Sequence, residues 1–159
     1  MSRSSAIAAL LALVACGAAP KAAPSPLPSP TPGAGAGPRV VMPSGAVYAV
    51  DIARTPEETA QGLMYRENLP TSTGMIFLFS DGGAHHFWMK NTMIPLDIVW
   101  LQADGTVLFV SANTPPCKSD PCPTYGPDAP APIVLEIAGG MAAREGVAPG
   151  KTLQLRQIR

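Results

Sequence analysis

The sequence predicts an α+β domain that is mainly β: a compact curled sheet or small barrel of seven to eight short strands, with one firm amphipathic helix and one short helix. Three observations predict it. Short apolar runs recur from about residue 39 onward, each bounded by Gly, Pro, Asn or Asp turn signals, which is the pattern of short strands. One segment alone, TPEETAQGLMYRE at 55–67, carries the start signals of a helix with an apolar face. No period of 20–50 residues repeats, which excludes a solenoid.

In chain order, RVVM (39–42) and AVYAVDIA (46–53) flank Pro43-Ser44-Gly45, a turn signal, and make a hairpin. The helix follows: Thr55 is placed as N-cap, Pro56 at the first helical position and Glu58 for a capping box, with Ala60, Leu63 and Met64 on one face. Strands are expected at GMIFLF (74–79), HHFWMKNT (85–92), LDIVWLQ (96–102) and TVLFVSA (106–112), the last two joined through Asp104-Gly105. APIVLEIA (131–138) is a further strand and GGMAAREG (139–146) a short helix. TLQLRQI (152–158) closes the domain, with Leu153, Leu155 and Gln157 alternating against Thr152, Gln154 and Arg156.

Ahead of the domain lie two segments of different composition. Residues 1–15 read as a signal peptide: Arg3 precedes the apolar run AIAALLALV (6–14), which is far shorter than the ~20 residues that span a bilayer. Its end, Leu13-Val14-Ala15-Cys16, resembles the lipobox of bacterial lipoproteins, which implies lipid on Cys16. Gly17 rather than Asp after the cysteine favours, by the same resemblance, the outer membrane over the inner. Residues 16–38 then form a Pro/Ala/Gly-rich tether, with seven prolines between Pro20 and Pro38 and too little apolar bulk to offset ordering entropy. Extended at about 3.1 Å per residue, it reaches roughly 50–60 Å. The expected location is the bacterial cell envelope, lipid-anchored and facing the periplasm.

The globular domain is residues 39–159. It holds nine Lys and Arg against eleven Asp and Glu, a net −2, which argues against nucleic acid as a partner. Cys117 and Cys122, in PPCKSDPCP, read as a disulfide in an exported chain, pinning a proline-rich excursion between strands. Their four-residue spacer matches neither a redox C-x-x-C nor a zinc knuckle.

The densest polar stretch is HHFWMKNTMIPLD, 85–97. Read as a strand, it puts Phe87, Met89 and Asn91 on one side and His86, Trp88, Lys90 and Thr92 on the other. Trp88 and Lys90 then form an indole platform beside an ammonium. Arg66, expected on the last turn of the helix, and Asp97, on the rim of the next strand, complete a binding cleft of Arg66, Trp88, Lys90, Asn91 and Asp97. The structural alternatives are that Trp88 packs under the helix, that Lys90 reaches to water, and that Asp97 accepts from backbone amides in a turn.

Three linked blocks carry a family resemblance: Gly62-Leu63-Met64-Tyr65-Arg66, Gly74-Met75-Ile76-Phe77-Leu78-Phe79, and Phe87-Trp88-Met89-Lys90-Asn91-Thr92 with Pro95-Leu96-Asp97. Together they resemble the signature of domain-of-unknown-function family 192, small exported or membrane-attached prokaryotic domains. The resemblance implies a compact β-rich domain, usually behind a signal or anchor, with no established activity.

No G-x-S-x-G, H-E-x-x-H, Walker or dinucleotide motif is present. No catalytic residue, metal ligand set or cofactor is therefore assigned. The first expectation is a non-enzymatic module of the envelope that binds a ligand or a protein. A second is an envelope enzyme acting on glycans, for which Asp97 is the acid inside the motif and Glu58 the other candidate. A third is copper handling through His85, His86, Met89 and Met93, although Met89 is wanted by the core.

Overall fold

The structure, a computed structural model, describes residues 37–158. The signal peptide, Cys16 and the tether up to residue 36 lie outside the described residues. Seven strands form one sheet in the order β6-β5-β8-β3-β2-β1-β9. These are β1 (Arg39–Val41), β2 (Val47–Ala53), β3 (Thr73–Leu78), β5 (Leu96–Leu101), β6 (Val107–Thr114), β8 (Ile133–Ala138) and β9 (Gln154–Arg156). A separate two-stranded ladder pairs β4 (Phe87–Trp88) with β7 (Thr124–Tyr125). The helices are α1 (Pro56–Gln61) and α2 (Met141–Arg144), so the class is α+β, mainly β, as the sequence predicts.

Neighbours in the large sheet are antiparallel except β2 and β3, whose parallel pairing is made possible by the crossover through α1. The sheet curls towards closure. Thr106 bridges to Thr152, and Leu153 N–H donates to Gly105 O at 2.9 Å. Gly105, at φ +85°, is required there, because a Cβ would meet Leu153 O at 2.2 Å.

The central strands β3, β5 and β8 are buried almost throughout, which explains why they read as near-continuous apolar runs rather than alternating ones. Inside the curl, Tyr48, Val50, Ile76, Val99, Leu135 and Ile137 pack with Ala142 of α2. On the other face, Met75, Phe77, Ile98, Trp100 and Val134 pack with Leu63 and Met89. Each such side chain removes apolar area worth about 1.5–3 kcal/mol from water.

The hairpin at Pro43–Gly45 and the turn at Asp104-Gly105 form as predicted. So does the capping box: Glu58 N–H donates to Thr55 Oγ1 at 3.2 Å and Thr55 N–H to Glu58 Oε2 at 3.1 Å. Three expectations are corrected. The helix stops at Gln61, because Gly62 turns the chain at φ +47°. Leu63 is buried from the following loop, and Arg66 belongs to that loop rather than to a helical turn. Residues 85–92 contribute only Phe87–Trp88 as strand; beyond them the backbone bends at Asn91, φ +56°, and Met89 O accepts from Cys117 N–H and Thr92 N–H instead of from a neighbouring strand. Asn91 is consequently exposed and Thr92 buried, the reverse of simple alternation. Strand β7, just after the cysteine loop, is an addition to the expected set.

Candidate functional site

Asp97 sits on β5 opposite Ile137 and is 0% exposed. Its carboxylate accepts from the backbone N–H groups of Asn113 (2.6 Å), Gly140 (3.0 Å) and Ala142 (2.6 Å), tying the start of α2 to the sheet. This is the turn-stabilising role, and it faces the α2 side. Arg66 lies on the other side of the sheet: it is 4% exposed, and its Nη2 donates to Asp51 Oδ2 at 3.1 Å. The bridge between Arg66 and Asp97 and their convergence in one cleft are therefore corrected, because alternate residues of a strand point to opposite faces.

Trp88, Lys90 and Asn91 do come together. Trp88 is 48% exposed, and Lys90 Nζ stands 5.5 Å from its ring centroid while donating to both oxygens of Asp120 at 3.1 Å. Asp120 is delivered by the Cys117–Cys122 loop, which is disulfide-bonded and docked through Cys117 N–H on Met89 O, 3.1 Å. Asn91 Nδ2 donates to Tyr65 Oη at 2.9 Å and its carbonyl accepts from Tyr65 N–H at 2.9 Å, joining this turn to the loop that carries Arg66.

Between the end of α1 and β4 lies a shallow groove that opens to solvent. Thr59 to Gly62 form one wall, Phe87, Trp88 and Thr92 the other, and Phe77 and Glu136 line it between them. Glu136 is 5% exposed, and its Oε2 is buried without a hydrogen-bond partner. Burial pushes its carboxyl up to about 8, and the Arg66 charge opposes that shift. At neutral pH the group is therefore protonated, able to donate one hydrogen bond and accept others. A Cβ at Gly62 would stand 3.3 Å from the Phe77 ring and 3.7 Å from Glu136 Oε2, so the absent side chain keeps this space open.

Glu136 was not among the residues singled out from the sequence. Its signal is there: a lone acid inside the apolar run IVLEIA, in a strand buried on both faces. Asp51 and Asp120 were likewise missed, because their roles depend on strand register and on loop docking.

The remaining polar clusters are separate. Tyr48 Oη donates to Glu145 Oε1 at 3.1 Å and Ser44 Oγ hydrogen-bonds the same carboxylate, fixing the end of α2 to the first hairpin. Burial and the neighbouring Glu145 push the Tyr48 phenol up to about 12. His85 stacks on Phe79 and lies 3.0 Å from Asp81, whereas His86 lies 3.2 Å from Asp128. Met89 is buried in the core and Met93 is exposed, so the four residues considered for copper have different surroundings. Among the described residues no group of three His, Cys, Asp or Glu is placed to hold a metal.

Two solved structures resemble the chain. One is a protein of unknown function from Novosphingobium aromaticivorans, 40% identical, with TM-score 0.66 over 74% of this chain and 83% of that one. The other is a candidate transcription regulator from Sinorhizobium meliloti, 34% identical, with TM-score 0.66 over 74% of this chain and 91% of that one. No curated protein matches the chain. The family model described as "Uncharacterized ACR" matches residues 39–155, from the start of β1 into β9 and including both walls of the groove. The chain belongs to domain-of-unknown-function family 192.

Proposed function

We propose that this chain is a cell-envelope lipoprotein, held on the membrane by lipid on Cys16 and facing the periplasm, whose domain is a non-enzymatic module that binds an envelope ligand or partner in the groove between Trp88 and Glu136. The outer membrane is the favoured anchor site. One observation carries the binding role: the unused hydrogen-bonding capacity of Glu136 Oε2, buried beside an open groove below a half-exposed tryptophan. A buried polar atom without a partner costs about 1–3 kcal/mol, and an apolar residue of similar shape would serve the fold better. The cost has a use if a ligand completes the bond. Nucleic acid does not belong to this reading, since a domain of net −2 offers no basic footprint.

A second reading, an enzyme acting on glycans, has one carboxyl pair to draw on. Asp51 and Glu136 flank Met75 in register, with their backbones about 10 Å apart at strand spacing. That backbone spacing lies outside the ~6.5–9.5 Å between the carboxyls of an inverting glycosidase. Asp51 is, moreover, engaged by Arg66.

Two experiments test the proposal. Cell fractionation should place the wild-type chain with membranes and labelled by a palmitate analogue, and should find Cys16→Ser soluble or unprocessed. An unlabelled wild-type chain in the soluble fraction would refute the anchor. A thermal-shift screen of the full chain against envelope glycans, peptides, nucleotides and metals should find a ligand that stabilises wild type by about 2.7 kcal/mol at a hundred times its Kd. Trp88→Ala should lose that stabilisation. A screen with no Trp88-dependent hit would refute the groove.

A further inference from the structure

We infer that the turn at residues 89–92 is where the domain rests on the membrane: Trp88 and Met93, the apolar pair on its flanks, sit in the interfacial layer of the bilayer to which the lipid on Cys16 holds the chain. This rests on the lipid-anchor reading above and names the surface that the exposed indole meets. Thr92 N–H donates to Met89 O at 3.3 Å, closing a turn with Lys90 and Asn91 at its tip. A β-turn brings its first and fourth residues within about 7 Å, so Trp88 and Met93 leave the domain from neighbouring points. Met89 and Thr92 are buried, whereas Trp88 is 48% exposed and Met93 56%, two of the four large apolar side chains left exposed among the described residues. The turn cannot fold this pair away. Asn91 bonds Tyr65 through both its amide and its carbonyl, and Met89 O also accepts from Cys117 N–H.

Size, chemistry and tethering select a bilayer over a protein. Two side chains beside a polar tip offer far less than the ~800 Å² per partner of a stable protein interface, whereas a fluid interface closes around a small apolar wedge. An indole joins a broad apolar ring to one N–H donor, which suits a layer that is apolar on one side and wet on the other. Residues 17–36, fully extended at about 3.1 Å per residue, reach roughly 60 Å, against a domain roughly 35 Å across. Any face can therefore meet the membrane, and surface chemistry decides which one does. The lipid also keeps the domain at an effective concentration of about millimolar, so a weak contact suffices. Anionic headgroups are not what draws this face: Lys90 is engaged by Asp120, and the domain is net −2. The contact is apolar and insensitive to salt.

The test uses the full chain, purified from membranes and reconstituted in vesicles of phosphatidylethanolamine and phosphatidylglycerol that carry a brominated phosphatidylcholine as quencher. The chain has two tryptophans, and Trp100 is 0% exposed in the core, so bromine quenching reports Trp88. Wild-type emission should shift to the blue and be quenched, and Trp88→Phe should remove the quenched component. Met93→Glu, at an exposed position, should leave the fold intact and lower the quenching by about half or more, because a charge resists leaving water. Raising the salt or omitting phosphatidylglycerol should leave wild-type quenching unchanged. A chain that floats with the vesicles while Trp88 stays unquenched would overturn the inference and leave the anchor standing. A chain that does not float would refute the anchor, and this inference with it. Quenching that requires phosphatidylglycerol, or fades with salt, would overturn the apolar contact. Emission that follows the density of chains in the membrane and not the bromine would assign the pair to a second copy of the chain, and would equally overturn the inference.

Discussion

Asp51 and Glu136 stand opposite the same residue, Met75, on the two strands that flank β3. Cross-strand partners share a face, so both carboxyls point to the side on which Arg66 is buried. Arg66 bonds one of them and biases the protonation of the other. Arg66→Met should therefore act on both. Leaving Asp51 without its partner should cost about 2–3 kcal/mol in denaturant unfolding, less than for a fully buried pair because Asp51 keeps some contact with water. The same variant should move the Glu136 midpoint above 8, since the charge that lowers it is gone.

Glu136 makes stability depend on pH in a known direction. Its folded carboxyl is pushed up to about 8 from an ordinary 4.5, so the unfolded chain loses its proton first as pH rises. The contribution is full below about pH 4.5, falls through the interval up to about 8, and amounts to roughly 3–5 kcal/mol. Glu136→Gln should remove that slope. Urea titrations at pH 5 and pH 8.5 should find the variant close to wild type at the lower pH and clearly more stable at the higher one.

Asp97 and Lys90 should part company under mutation. Asp97→Asn weakens three backbone-amide bonds inside the protein and should cost about 3 kcal/mol. Lys90→Ala removes a partly exposed ion pair and a cation–π contact, and should cost about 1 kcal/mol or less. Equal losses in thermal unfolding would contradict this assignment of roles.

How far the sequence revealed these roles depends on what fixes each one. The capping box at Thr55 and Glu58 and the Asp104-Gly105 turn are local, set by residues three or four apart, and the sequence shows them directly. The two candidate carboxyls are not local. Asp97 reads from the sequence as a turn-stabilising carboxylate first and a binding residue second, and the arrival of α2 beside it decides for the turn. Glu136 gains its partly solvent-free niche from Gly62, Phe77 and Arg66, three elements far apart in the chain. The failure of 85–92 as a full strand has the same origin: Asn91 and Met89 spend their carbonyls on Tyr65 and Cys117, partners no local pattern announces.

The cysteine loop should stabilise the groove's outer edge more than the fold as a whole. It closes over only five positions of sequence separation, so Cys117→Ser with Cys122→Ser should cost only about 1–3 kcal/mol. Freed from the loop, Asp120 should hold Lys90 less firmly over Trp88. A change in Trp88 emission, obtained by difference against Trp88→Phe, should accompany reduction of the wild-type protein and be absent in the double serine variant.

The protonation of Glu136 can be read directly by carbon NMR of the side-chain carboxyls in the full chain, with its resonance assigned by its loss in Glu136→Gln. A neutral hydrogen-bonding carboxyl at the groove requires a midpoint near 8, shifted upward again when Arg66 is replaced by Met. A midpoint near 4.5 would mean an ionised, hydrated carboxylate, and would contradict the neutral hydrogen-bonding group on which the groove's binding role rests.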